Sequence, residues 1–408
     1  MTPAARLQAA IDLLDQIIAA ATGNGPAADT LIARYFRDRR YAGSKDRRAV
    51  RDHVYTAIRA HPVPPANGRE AMVALAVAEG EDGALATLFD GSTHAPSPIG
   101  AGERAAAMSL ASDPIPPWLS PLLADLVDGP ERAALLDRAP LHLRVNALKA
   151  DRDALLAALP QATILPATPH GIAVAEGTAL ESTPQWQAGL IEVQDAGSQI
   201  IAAACQVRPG QTVLDLCAGA GGKTLALAGE MGAGALRCPE GVQGRLIAAD
   251  VNRERLSRLR PRAERAGAPG IETLLLDGGR EGEALAPLTA ACDVVLVDAP
   301  CTGMGTWRRN PEARWRLSPD AIGRMATLQS HVLALAAPLV KPGGAIVYAV
   351  CSLLDVEGRD RIDAFLAVNP GWTAEDAGPA GRWWGQGRLL TARQDGSDGF
   401  FFARLRKA

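Results

Sequence analysis

Apolar residues recur at helical spacing where the chain begins: Leu7, Ile11, Leu14 and Ile18 share one face, which predicts an amphipathic helix. Proline and glycine clusters at "HPVPPANG", "GSTHAPSPIGAG" and "DPIPPWLSP" then divide the first third into short helical pieces. From about residue 139 the pattern changes. "LHLRVNAL" reads as a strand, "DRDALLAALP" as a short helix and "GIAVAE" as a second strand, together a small α+β unit. Beyond residue 190, "TVLDL", "RLIAAD", "ETLLLD", "DVVLVD" and "AIVYAV" are short β-rich runs separated by helix-sized stretches. That alternation predicts an α/β fold with a doubly wound, mainly parallel sheet. "DGFFFARL" reads as a final antiparallel strand, and "GEMGAGALRCPEGVQGR" as an extended loop between the first helix and second strand of the sheet. The expected organisation is a helical domain over 1–138, an α+β subdomain over 139–192 and an α/β domain over 193–408.

Composition narrows the function classes. A chain of 408 residues with 48% hydrophobic and 21% charged residues has room for two or three globular domains. Its net charge of −3 means that any nucleic-acid partner must meet a local basic patch. One such patch lies between Arg34 and His53, where eight Arg or Lys face three Asp. Arg34, Arg37, Arg47, Arg48 and Arg51 are its candidate phosphate contacts; a solvated helix face with internal ion pairs is the alternative. The N-terminus lacks a signal-peptide pattern, and no apolar run approaches the roughly 18–20 residues of a membrane span. The six cysteines, at 205, 217, 238, 292, 301 and 351, form no C-x-x-C pair and no zinc spacing. A cytoplasmic monomer with reduced thiols, no metal and no membrane association is expected.

The chemistry gathers at the predicted strand ends. "VLDLCAGAGGKT" sets a glycine-rich turn after the first strand of the sheet, where open α/β sheets bind ligands. The turn fails the dinucleotide fingerprint at Thr224 and the phosphate-loop pattern at Cys217, which counts against a nicotinamide dehydrogenase. Asp250, Asp277 and Asp298 end the next three strands. Any one of them alone reads equally well as a helix cap, but three in register suggest a ribose and an exocyclic amine. S-adenosylmethionine, which carries both and no phosphate, fits better than a nucleotide, with Lys223 placed to pair with its carboxylate.

Two thiols share the same end of the sheet. Cys301 follows Asp298-Ala-Pro, and Cys351 follows "AIVYAV". Carbon 5 of cytosine is a poor nucleophile until a thiolate adds at carbon 6. An acid near ring nitrogen 3, a position that Asp298 suits, stabilises the charge that develops. Expelling the thiol afterwards gives a second thiol a use. The residues alone do not decide which cysteine attacks.

"VLDLCAGAGGKT", "VDAPCTGMGTWRRNPE", "YAVCSLLDVEGRD" and "DGFFFARL", in this order and preceded by "RVNALK" and "EVQDAGSQI", resemble the RNA 5-methylcytosine methyltransferase family. The resemblance covers about residues 139 to 408. It implies a Rossmann-like class I methyltransferase domain in which Cys351 attacks and Cys301 assists product release. It also implies a cofactor set of Cys217, Ala218, Gly219, Ala220, Gly221, Gly222 and Lys223 with Asp250, Asp277 and Asp298. Val350 departs from the family's usual Thr and Ala220 from a frequent Pro, and the loop before Asp250 is longer than usual. The first third is similar, through "SKDRRAVRDHVYTAIR" and "PPWLSPLL", to the NusB-like helical RNA-binding domain of the 16S ribosomal RNA cytosine methyltransferase B type. Ribosomal RNA is the implied substrate; transfer RNA, or a non-catalytic role in ribosome assembly, are the alternatives. A DNA cytosine methyltransferase would attack from its Pro-Cys motif and carry an "ENV" element, which this chain lacks.

"TWRRNPEARWRL" follows Cys301 closely. Trp307 or Trp315 could stack a base, and Arg308, Arg309, Arg314 and Arg316 could meet phosphates. The competing reading makes both tryptophans packing anchors.

Overall fold

The computed structural model describes residues 1–408 apart from 24, 81–82, 108–109, 112, 176 and 233–243. Cys238 and most of the extended loop around it therefore lie outside the described residues. Two compact units emerge: Met1–Asp137 with Thr306–Ser318, and Arg138–Gly305 with Pro319–Ala408.

The first unit is helical. Its main helices are α1 (Pro3–Thr22), α2 (Ala28–Asp38), α3 (Ser44–Ala60) and α4 (Gly68–Glu79). Thr2 Oγ1 accepts from Ala5 N at 3.1 Å and starts α1, and Asn67 Oδ1 accepts from Glu70 N at 2.8 Å and starts α4. Leu7, Leu14 and Ile17 of α1 share a core with Val54, Ile58 and Met72. Trp315 belongs to that core too, although it is remote in sequence. Residues 306–318, expected in the α/β domain, are thus part of the helical unit.

The second unit holds two sheets. The smaller runs β2 (Thr163–Ile164), β3 (Gly171–Val174), β1 (Leu141–Val145), β4 (Ile191–Val193) and is antiparallel throughout. It is no separate domain. Buried Glu192 pairs with Arg262 at 2.9 Å and with Arg265, and Asn146 Nδ2 donates to Ala266 O at 2.8 Å. These bonds join it to helix α7 (Leu259–Ala266), which belongs to the larger sheet.

The larger sheet has a parallel half. Its strands β7 (Glu272–Leu275), β6 (Arg245–Asp250), β5 (Thr212–Asp215), β8 (Cys292–Asp298) and β9 (Val340–Val350) lie side by side in that order. The helices α5 (Ala196–Ala204), α6 (Gly222–Met231), α7 (Leu259–Ala266), α8 (Pro319–Ala336) and α9 (Arg359–Val368) alternate with these strands along the chain. Strand β13 (Phe400–Lys407) pairs antiparallel with β9, as the closing "DGFFFARL" predicts. Beyond it the sheet continues through β10 (Trp372–Glu375), β11 (Arg382–Trp384) and β12 (Gly387–Leu390), which sequence pattern missed. Among the described residues no helix is long and apolar enough to cross a membrane.

Candidate active site

The glycine turn after β5 is held from both sides. Gly219 and Gly221 have φ of +55° and +81°, and a Cβ on Gly221 would lie 2.1 Å from Leu259 Cδ1. Only glycine meets both demands at position 221. Asp250 ends β6 and fixes the turn, with Oδ2 accepting from Gly219 N and Oδ1 from Asn252 N, each at 2.7 Å. Asp277 is exposed just past β7, where Leu276 N bonds Asp250 O at 3.0 Å. Ala220 O accepts from Arg262 at 2.6 Å.

Lys223 has a partner within the chain. Its Nζ donates to Asp298 Oδ2 at 2.7 Å, so its first partner is a carboxylate of the chain. Burial alone would lower the Lys223 pKa, but the charge and hydrogen bond of Asp298 outweigh it and the net shift is upward. Below the turn, Asp215 accepts from Thr224 Oγ1 at 2.6 Å while its Oδ1 is buried without a partner. Burial pushes the Asp215 carboxyl up to about 7. Sequence reasoning passed over Asp215, although an acid ending an apolar strand before a glycine turn was a readable signal.

The thiols meet. Strands β8 and β9 are adjacent and parallel, with Asp298 opposite Ala349, so the loops that leave them run side by side. Cys301 Sγ and Cys351 Sγ lie 3.3 Å apart, and both residues are half-buried. The hydrogen bond to Cys351 and then burial push the Cys301 thiol well up, so near neutrality Cys301 keeps its proton and is able to donate to Cys351. Burial also raises Cys205 and Cys217, and lifts Cys292 to about 11, leaving those three thiols inert near neutrality. Behind the pair sits Glu357, a buried acid that sequence reasoning missed because its segment reads as an ordinary loop before a helix. Among the described residues no group of three or more His, Cys, Asp or Glu is placed to hold a metal.

A family model described as 16S rRNA methyltransferase RsmB/F matches residues 202–406. The chain belongs to that family. A Synechocystis protein named probable ribosomal RNA small subunit methyltransferase B is 32% identical over 308 residues, 72% of this chain and 67% of that protein. The Pseudomonas syringae ribosomal RNA small subunit methyltransferase B is 36% identical over 278 residues, 66% of this chain. This RsmB/F chain covers 59% of that relative's length. Among solved structures, PH0851 matches with a TM-score of 0.76 at 23% identity over 100% of this chain and 99% of its own, a likeness of fold. A methyltransferase homolog from Pyrococcus horikoshii matches with a TM-score of 0.60 at 27% identity over 70% of this chain and 92% of its own.

The basic residues of this RsmB/F protein divide by position. Arg34, Arg37 and Arg48 are exposed on α2 and α3, Arg37 beside Asp38 at 3.9 Å. Arg47 is exposed but donates to Ala42 O at 2.9 Å and lies over the Phe36 ring, and Arg51 pairs with Asp29 at 2.9 Å. The strip after Cys301 corrects the sequence reading. Trp307 is 0% exposed and Arg308 is buried, so neither presents a face for stacking or a phosphate; Arg309 is half-buried. Arg314 donates to Ile58 O, to Arg59 O at 2.9 Å, to His61 O at 2.8 Å and to Pro114 O at 3.2 Å. Trp315 Nε1 also reaches His61 O, at 2.8 Å, and Arg316 donates to Gly25 O and Pro26 O, each at 2.9 Å. The strip is an internal clamp of the helical unit.

Proposed function

We propose that the chain is an S-adenosylmethionine-dependent RNA methyltransferase that forms 5-methylcytosine in 16S ribosomal RNA, acting in the cytoplasm without a metal. The observation that carries this reading is the pair of sulfurs 3.3 Å apart at the carboxyl ends of adjacent strands. A site for the cofactor fits the residues present: the glycine turn excludes any Cβ at 221, and the buried Asp215 Oδ1 lacks a partner beneath it. Residues 217–223 with Asp250 and Asp277 would hold it, and when bound it supplies the methyl group.

The chain's own groups do the rest. Cys351 Sγ, accepting a hydrogen bond from the Cys301 thiol, adds as thiolate to carbon 6 of cytosine and makes carbon 5 nucleophilic. Asp298 uses one oxygen for Lys223 and offers the other to the amine edge of the cytosine. The Lys223 ammonium beside it offsets negative charge that builds on the ring. Once carbon 5 is methylated, its proton passes to water, the 5,6 double bond reforms and the bond from carbon 6 to Cys351 breaks. The Cys301 thiol donates to the departing sulfur and so assists release. Arg34, Arg37 and Arg48 form the phosphate-facing part of a helical RNA-binding unit.

Incubating variants with RNA and S-adenosylmethionine tests the reading. Cys351→Ala is expected to leave cytosine unmethylated, and Cys301→Ala to accumulate a covalent protein–RNA adduct visible on a denaturing gel. Methylation by Cys351→Ala would overturn the assignment.

A further inference from the structure

Glu357, in the segment between β9 and α9, is fully buried. Its Oε1 accepts from Thr302 N at 2.9 Å and from Gln329 Nε2 at 3.0 Å. Its Oε2 accepts from Thr302 Oγ1 and from Ser352 Oγ, each at 2.5 Å. Thr302 directly follows Cys301 and Ser352 directly follows Cys351. One carboxylate therefore grips the residue behind each thiol. The same Gln329 amide donates to Pro300 O at 2.9 Å, so Cys301 is anchored on both of its sides. Glu357 is itself fixed, because Tyr348 Oη donates to its carbonyl at 2.6 Å.

A buried carboxylate is costly unless hydrogen bonds compensate it, and an apolar side chain would fill the same space at no such cost. Past the strand ends the two loops share a backbone bond, Gly305 N to Cys351 O at 2.9 Å, but it leaves the residues next to Cys301 unheld. The carboxylate adds a side-chain link at Thr302 and Ser352, the point where the sulfurs must meet. We propose that Glu357 is the positioning residue of the thiol pair: it ties the Cys301 and Cys351 loops together so that the sulfurs stay within bonding distance during attack and release. This rests on the two-thiol reading of the site. The charge of Glu357 acts in the same sense, since it helps to keep Cys301 protonated and thus a donor, along with Cys351 and burial. Among the described residues, Tyr348 faces Cys301 and Lys223 lies beside Cys351.

The test uses the full chain and a probe that needs no RNA. Phenylarsine oxide binds tightly only where two thiols can both bond to arsenic, with loss of water. Glutamine at 357 can keep all four bonds, its oxygen facing the two N–H donors and its amide facing the two hydroxyls, which turn to accept. Alanine keeps none. Wild type and Glu357→Gln are expected to capture the arsenical through Cys301 and Cys351, and Glu357→Ala to lose roughly 10²-fold in that capture. With RNA, Glu357→Ala is expected to lower kcat by a similar factor at near-constant KM, and Glu357→Gln to restore it.

Undiminished capture by Glu357→Ala, or Glu357→Gln failing as badly as alanine, would overturn the proposal. If the alanine variant does not fold, Glu357→Asp decides. It keeps the charge but withdraws it by one methylene, so capture should fall; unchanged capture again counts against positioning. A wild type that captures arsenic yet methylates no cytosine would sink the proposed activity and leave the positioning role standing.

Discussion

Asp215 shows how depth changes what one residue does. Its carboxyl is held near 7 by burial against an ordinary value of 3.8. Between those values the folded chain keeps a proton that the unfolded chain has released. The stability linked to Asp215 is therefore complete below about pH 4 and is lost as pH rises through about 7. Asn at this position cannot titrate and can still accept from Thr224. Comparing melting curves of wild type and Asp215→Asn without ligand should show the wild type losing stability relative to the variant between about pH 4 and 7, by up to roughly 4 kcal/mol. Parallel pH profiles would show that Asp215 does not titrate in this range. The sequence made Cys301, Cys351, Asp298 and the glycines readable because each sits at the end of an apolar run, where ligands of such sheets bind. Asp215 ends an apolar run as well, but its full burial, and with it the raised carboxyl, is not written in that pattern. Glu357 was hidden for a related reason: its partners Thr302 and Gln329 are 55 and 28 residues away.

At the scale of elements, residues 306–318 behave as a detached cap for two helices. Ala27 offers α2 no side-chain cap, and Glu312 Oε1 takes the Ala28 N–H instead, at 3.0 Å. Arg314 covers the last carbonyls of α3. An acid at a helix start and a base at a helix end both match the helix dipole and fill otherwise orphaned groups. Burial brings the Arg314 pKa down to about 9, because its guanidinium has left water. Removing it strands several carbonyls at once, so Arg314→Ala should destabilise the protein by about 3 kcal/mol in thermal or denaturant unfolding. Arg314→Lys should recover little, because a single ammonium lacks the planar fork that reaches separate acceptors. A loss below about 0.5 kcal/mol for Arg314→Ala would place the clamp among surface contacts. The misreading of this strip has a physical cause. Arginine and tryptophan suit a buried clamp of backbone carbonyls as well as they suit RNA, and only burial separates the uses. Strands β11 and β12 escaped notice because "RWWGQGRLL" breaks the polar–apolar alternation with glycines and arginines.

For the whole molecule, the pattern of elements carried the architecture: helices before about residue 138, strand–helix alternation after 190. The expected boundary at 192 falls where buried Glu192 pairs with the half-buried Arg262 and Arg265, a contact no local pattern encodes. Charge is the other whole-molecule property. A net charge of −3 gives RNA no general attraction, so affinity must arise where cations remain exposed. Arg47 and Arg51 are already engaged in the fold. Arg34, Arg37 and Arg48 are exposed on α2 and α3. Replacing these three by Glu should weaken RNA binding across sequences and make the plot of log affinity against log salt shallower. The expected change in slope is about 2, at roughly 0.7 to 0.9 per lost phosphate contact. Arg51→Ala should alter the slope much less, since it opens an exposed pair with Asp29. Thermal stability should change little in the triple variant because none of the three is buried. An unchanged salt slope in a folded triple variant would mean that RNA meets this protein on another face.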